Sequence, residues 1–189
     1  GDVYKRQILG FFLVIYFAHD LPNISKLYED KLKPSITILD TNGDLVTTYG
    51  DVFTEFVQTK DMPDSLIDAV LATEDRRFYK HFGIDPRGLA RAMFVNFKEG
   101  RFVQGGSTIT QQLAKVVFLK PERTLKRKVQ EALLAIWLER KFTKDQILTM
   151  YLNRVYLGSG VYGVDAASRK YFRKSARDIN MFESAMLAG

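Results

Sequence analysis

The segment "ERTLKRKVQEALLAIWLERKF", residues 122–142, constrains the fold more than any other. Apolar residues cover nearly the whole circumference of a helix from Ala132 to Leu138, so this helix has to run through the centre of a molecule. The rest of the chain must then supply the layers around it. With 189 residues, 46% of them hydrophobic, there is enough apolar surface for one domain with an extra lobe. The neighbouring segments supply helices. Asp64 and Ser65 are candidate caps for one that starts after Pro63, with Asp68 completing a capping box, and its stripe runs Ile67, Val70, Leu71 and Phe78. A second follows Pro86 and carries Leu89, Met93 and Phe94. "NFKEGRFVQGG" reads as a mobile loop. Ser107 or Thr108 caps "STITQQLAKVVFL", which ends near Pro121. "TKDQILTMYLNRVYLG" is another helix, a glycine turn at Gly158, Gly160 and Gly163 feeds the next, and "MFESAMLAG" begins one more.

The first third reads differently. "ILGFFLVIYFA", Ile8 to Ala18, carries no charge and follows Lys5 and Arg6. As a helix it would be about 16 Å long, half of a hydrocarbon core. The expectation is a truncated membrane anchor over residues 1–20, with the flank "GDVYKRQ" of uncertain origin and a buried core helix as the plainer reading. Residues 21–62 read as a linker containing a β-hairpin, with Ile36 and Ile38 alternating before the turn dipeptide Asn42-Gly43. Residues 63–189 form the main helical domain, expected to be incomplete at its C-terminus.

Several chemistries are excluded at once. There is no cysteine, so thiolate metal sites, disulfides and a cysteine nucleophile are out. His19 and His81 are the only histidines, which rules out a multi-histidine zinc site. His81, at a helix end, suits a cap or a packed imidazole better than a catalyst. The net charge of +6 is concentrated between Lys120 and Lys144, where eight basic residues meet three acidic ones. Such a block points to an anionic partner, whether phosphate, nucleic acid or lipid surface, or is simply a solvated face.

Two glutamates carry the candidate chemistry. Glu74 falls on the apolar stripe of its helix, where a carboxylate loses hydration and becomes a usable base near neutral pH. The competing reading is a surface ion pair with Arg76, Arg77 or Lys80, while Asp75, one position round, would orient a neighbour or pair with arginine. Glu131 shares a helix face with Arg127 and Lys128, four and three residues before it. That trio is either an ordinary helical salt bridge or a charged patch able to neutralise a pyrophosphate leaving group, directly or through a metal bridging Glu131 and the pyrophosphate. "GGSTITQQ" exposes amides at a helix N-terminus and lacks the lysine spacing of a nucleotide-binding loop. Thr108, Gln112 and Lys115 form a polar stripe opposite Ile109, Leu113 and Val117.

In order along the chain, "EDRRFYKHFG", "GGSTITQQ", "RKVQE", "KDQILTMYLN" and "GVYGVDAASRKYF" resemble the five motifs of the peptidoglycan glycosyltransferase domain of class A penicillin-binding proteins and monofunctional transglycosylases. The resemblance covers about Pro63 to Gly189. It implies a mainly α fold, a lysozyme-like helical lobe beside a smaller jaw lobe that dips into the membrane. It implies polymerisation of lipid II into β-1,4-linked glycan with release of undecaprenyl pyrophosphate, on the extracytoplasmic side of the cytoplasmic membrane, by a single-pass protein. By motif position, Glu74 resembles the general base and Glu131 the glutamate that assists at the pyrophosphate, directly or through a divalent cation such as Mg or Mn. Arg127, Lys128 and Lys115 would hold phosphates, and Asp75, Thr108, Gln112 and Asn153 would serve the substrate cleft. The implied partners are lipid II, the growing lipid-linked strand, the membrane and a cell-wall synthesis complex, with no nucleic acid and no organic cofactor. One departure stands out: Arg173 in "KYFRK" occupies a place where the family usually has glycine, and arginine takes positive φ at a cost, so the turn after Phe172 is expected to differ. The alternatives are a lysozyme-like lytic enzyme and a basic module for nucleic acid or anionic lipid.

Overall fold

The computed structural model describes residues 36–42, 45–49, 56–119 and 124–189, together with Tyr4. The expected anchor, most of the linker and the start of the basic block lie outside the described residues. A two-stranded antiparallel sheet pairs β1 (Ile36–Leu39) with β2 (Leu45–Tyr49), Ile36 opposite Tyr49, with a register shift between Ile38 and Leu39. Within the connection, the Asp40 carboxylate accepts the Asn42 amide at 2.8 Å, an Asx turn. Helices follow as α1 (Asp64–Glu74), α2 (Pro86–Glu99), α3 (Ile109–Phe118), α4 (Leu125–Lys141), α5 (Lys144–Leu152), α6 (Val164–Phe172) and α7 (Met181–Ala188), with short 3-10 turns at Thr59–Asp61, Phe78–Lys80 and Ala176–Asp178. The main domain is therefore mainly α. Among the described residues, no helix is long and apolar enough to cross a membrane.

α4 is the central helix. Leu134, Ala135 and Leu138 are fully enclosed, and they pack with Ile109 and Leu113 of α3, Ile147 and Leu148 of α5, Leu66 of α1 and Phe78. One buried polar cluster crosses this core. The Glu139 carboxylate accepts Lys144 Nζ at 2.7 Å and Thr110 Oγ1 at 2.6 Å, joining α3, α4 and the start of α5. Lys144 also sits 4.3 Å above the Phe78 ring, a cation–π contact that holds the turn after α1. Capping boxes fix the starts of α3 (Thr108 with Gln111), α5 (Thr143 with Gln146) and α7 (Asn180 with Glu183).

Three sequence expectations change. α1 begins with Pro63 at the N-cap and no side-chain cap; the Ser65 hydroxyl is instead shared with Ser184 of α7 at 3.0 Å. α2 extends through "NFKE" to Gly100, whose left-handed conformation ends it, so the loop is shorter than the glycine spacing suggests. That loop is tied back by Asn96, whose side-chain oxygen accepts the amides of Val103 and Gln104, each at 2.8 Å. The turn after Phe172 uses the positive φ that an arginine was expected to avoid: Arg173 itself takes the left-handed conformation, φ 60°, and ends α6.

Candidate active site

The first wall of the site is made where α1 stops. Asp75 leaves the helix at φ −158°, ψ 77°, which turns consecutive side chains apart: Glu74 is exposed and Asp75 is buried. The cause is tertiary. The Asp75 carboxylate accepts the backbone N–H of Ile109 at 3.1 Å, at the positive end of α3, and meets His81 Nε2 at 2.9 Å. His81 packs edge-on against Phe78, so it is a core imidazole, as its position suggests. The expected continuation of the α1 stripe to Phe78 therefore fails. Glu74 has not lost its hydration to an apolar surface; it stands at the helix end, where its Oε2 accepts Gln112 Nε2 at 2.6 Å. Arg77, one candidate partner, turns to Asp85 at 3.2 Å instead.

The second wall is the start of α3. Thr108 is buried, accepts the Gln111 amide as the cap and donates to the Gly83 carbonyl at 2.6 Å. Gly83, at φ 79°, lies against the backbone of α4, where an added Cβ would come within 2.9 Å of the Ala135 carbonyl. One turn into α3, Gln112 reaches Glu74, and Lys115 extends beyond it on the same side, so the polar stripe read from the sequence is in place. Gln112 is also held from behind by Tyr151 of α5, whose hydroxyl lies 3.4 Å from Gln112 Oε1. Burial, with the Glu74 charge adding to it, pushes the Tyr151 phenol well above its ordinary range, which keeps it a donor.

The third wall is the first turn of α4, started by Thr124, whose hydroxyl accepts the Arg127 amide at 3.2 Å. Glu131 is buried with one cation on each oxygen: Arg127 Nε at 3.2 Å on Oε1 and Lys128 Nζ at 2.8 Å on Oε2. Arg127 is buried beside it, whereas the Lys128 side chain is half exposed and its ammonium also donates to Ser107 Oγ at 2.7 Å. Both oxygens are engaged by cations, so a divalent ion bridging Glu131 and a pyrophosphate would have to share or displace Lys128 or Arg127, and among the described residues no cluster of three or more acidic or histidine side chains surrounds it.

All three walls face one open cleft of about 960 Å³. Glu74, Asp75, Thr108, Gln112, Lys115, Arg127, Lys128 and Glu131 line it, together with Arg76, Arg77 and Arg91. Two glutamates from separate helices thus look into a common, cation-rich groove. Asn153 is not among its lining residues. It ends α5, and its amide pins the chain at Val57 with bonds of 2.9 and 2.7 Å, so the structure gives it a bracing task outside the cleft. Arg91 and Tyr151 were not singled out by the sequence, and Ser107 was read only as a candidate cap. Ser107 differs from Thr108 only in which way the cap turns it, and nothing local distinguishes Arg91 from Arg87 one turn before it, so neither carries a local signal.

Residues 42–189 match the profile of the Transglycosylase family. The chain belongs to the transglycosylase family. Among curated relatives, a penicillin-binding protein 1A from Aquifex aeolicus (strain VF5) is 49% identical over 182 residues, which is 96% of this chain and 25% of the relative. The penicillin-binding protein 1A of Escherichia coli (strain K12) is 44% identical over 174 residues, 92% of this chain and 20% of the relative. Penicillin-binding protein 1F of Bacillus subtilis (strain 168) is 42% identical over 181 residues, 96% of this chain and 25% of the relative. The chain thus spans a quarter or less of the length of these relatives.

Proposed function

We propose that this transglycosylase domain is a peptidoglycan glycosyltransferase that polymerises lipid II. Glu74 takes the proton from the 4-hydroxyl of the acceptor sugar. Gln112 engages its Oε2, which leaves Oε1 as the oxygen that receives the proton. The freed oxygen attacks the anomeric carbon of the lipid-linked strand from the face opposite the leaving group, so the configuration inverts to a β-1,4 bond. Undecaprenyl pyrophosphate departs towards Lys128, Arg127 and Lys115, whose charges match the negative charge that grows as the glycosidic bond breaks. Glu131 holds Arg127 and Lys128 in place for that task. The single observation that carries this reading is that Glu74 and the Arg127–Lys128–Glu131 cluster line the same cleft. A lytic enzyme would have no use for two cations gripped at its second carboxylate.

A lipid-linked substrate also calls for a membrane face. α2 and the loop after it present Met93, Phe94, Phe97 and Phe102 to solvent, exposed at 65, 69, 88 and 82%. Arg87, Arg91, Lys98 and Arg101 are interleaved with them. That combination of apolar side chains and cations suits insertion into an anionic lipid surface, and this is the face assigned to the membrane-dipping jaw. The proposed location is the extracytoplasmic side of the cytoplasmic membrane.

The deciding experiment is incubation with purified lipid II in detergent or vesicles. Formation of polymer that is suppressed by moenomycin supports the proposal. Shortening of preformed glycan without polymer would point to lysis, and salt-sensitive binding to unrelated DNA with no turnover would point to a basic binding module.

A further inference from the structure

Tyr151 lies in the last turn of α5, 4% exposed, and it does not line the cleft. Its hydroxyl is nonetheless one residue away from the general base. The chain of contacts runs from Tyr151 Oη to Gln112 Oε1 at 3.4 Å and from Gln112 Nε2 to Glu74 Oε2 at 2.6 Å. A carboxamide has two faces of opposite character, an acceptor oxygen and a donor nitrogen, and side-chain rotation exchanges them. Glu74 can be held only by the nitrogen. Presented with the oxygen, its carboxylate would be repelled and would swing away from the cleft position that Gln112 fixes.

We infer that Tyr151 is a positioning residue for Glu74, acting through Gln112: its hydroxyl claims the amide oxygen and so commits the amide nitrogen to the carboxylate. The inference rests on the proposed role of Glu74 as base. The phenol is suited to this task because it is a neutral donor whose own ring is buried and so held in place behind α3. It reaches the amide from α5, across the α3–α5 contact, so the orientation of a cleft residue is set from the opposite side of α3.

The test is Tyr151→Phe, which removes one oxygen and leaves the ring packing intact. For lipid II polymerisation, kcat is expected to fall about 10-fold with KM within twofold of wild type, the signature of a displaced base. In a Gln112→Ala background the same substitution should have no further effect, which a merely structural role for the ring would not produce. Independently of turnover, the Gln112 side-chain amide protons should give a downfield, exchange-protected NMR signal in the wild-type protein and lose both properties in Tyr151→Phe. Wild-type kcat in Tyr151→Phe, an equal loss in the Gln112→Ala background, or an unchanged Gln112 amide signal would overturn the inference. If the wild-type protein made no polymer, the proposed function would fall, and the amide signal would still decide whether Tyr151 orients Gln112.

Discussion

The Asp75 carboxylate accepts the Ile109 amide at 3.1 Å, and that bond ends one helix and anchors the start of another. Because Asp75 is drawn inward, its neighbour Glu74 is turned out to the cleft. Asp75→Ala should therefore cost stability and catalysis together. About 2–3 kcal/mol is expected, because a buried amide and the imidazole of His81 lose their acceptor. Chemical denaturation should show the drop, and Glu74-dependent polymerisation should fall with it.

Glu74→Gln separates chemistry from folding. Its side chain is exposed and its hydrogen bond is to another side chain, so the melting temperature should stay within a degree or two of wild type. Polymerisation should fall by a factor on the order of 10³, since an amide cannot accept the acceptor's proton. Lipid II binding, measured by fluorescence anisotropy, should persist.

Glu131→Gln should behave differently. The carboxylate is removed from beside buried Arg127, so stability falls by about 2 kcal/mol as well as activity. A melting temperature equal to that of wild type would show that Arg127 and Lys128 do not depend on Glu131 for their placement.

Lys128→Ala tests the leaving-group role. The half-exposed ammonium is the part of the cluster that can meet a diphosphate, and its loss should lower kcat about 10²-fold with KM little changed. A raised KM with full kcat would instead make it a docking contact.

Arg173→Gly is expected to stabilise the fold by about 1 kcal/mol, seen as a rise in melting temperature. Arg173 ends α6 at φ 60°, a conformation that glycine adopts without a Cβ penalty. The sequence flagged the residue but suggested that the turn would give way. The structure instead places the positive φ on the arginine, and Ser168 Oγ, from inside α6, donates to the Lys174 carbonyl at 2.7 Å and holds the next residue down.

What could be read from the sequence was what lives within one helix. The "RKVQE" spacing fixed Arg127, Lys128 and Glu131 on one face, and the cap at Thr108 set the phase that brings Gln112 and Lys115 to the cleft. What could not be read depends on a partner distant in the chain. Glu74 looked buried because its helix was carried on to Phe78, and nothing local says that Ile109, 34 positions beyond Asp75, takes that aspartate's carboxylate. Asn153 looked like a cleft residue because its motif is, yet its amide is used on Val57, 96 positions away. On α2 the periodicity is real but faces outward, and periodicity alone does not say which side is covered.

Gly83 rests on the Ala135 main chain with no room for a Cβ. The separation between that loop and the central helix is thus fixed by contact between two peptide backbones, leaving no side chain there to enlarge or trim. Thr108, whose hydroxyl donates to the Gly83 carbonyl, inherits that spacing, so the start of α3 keeps its place when side chains elsewhere around the groove change in size.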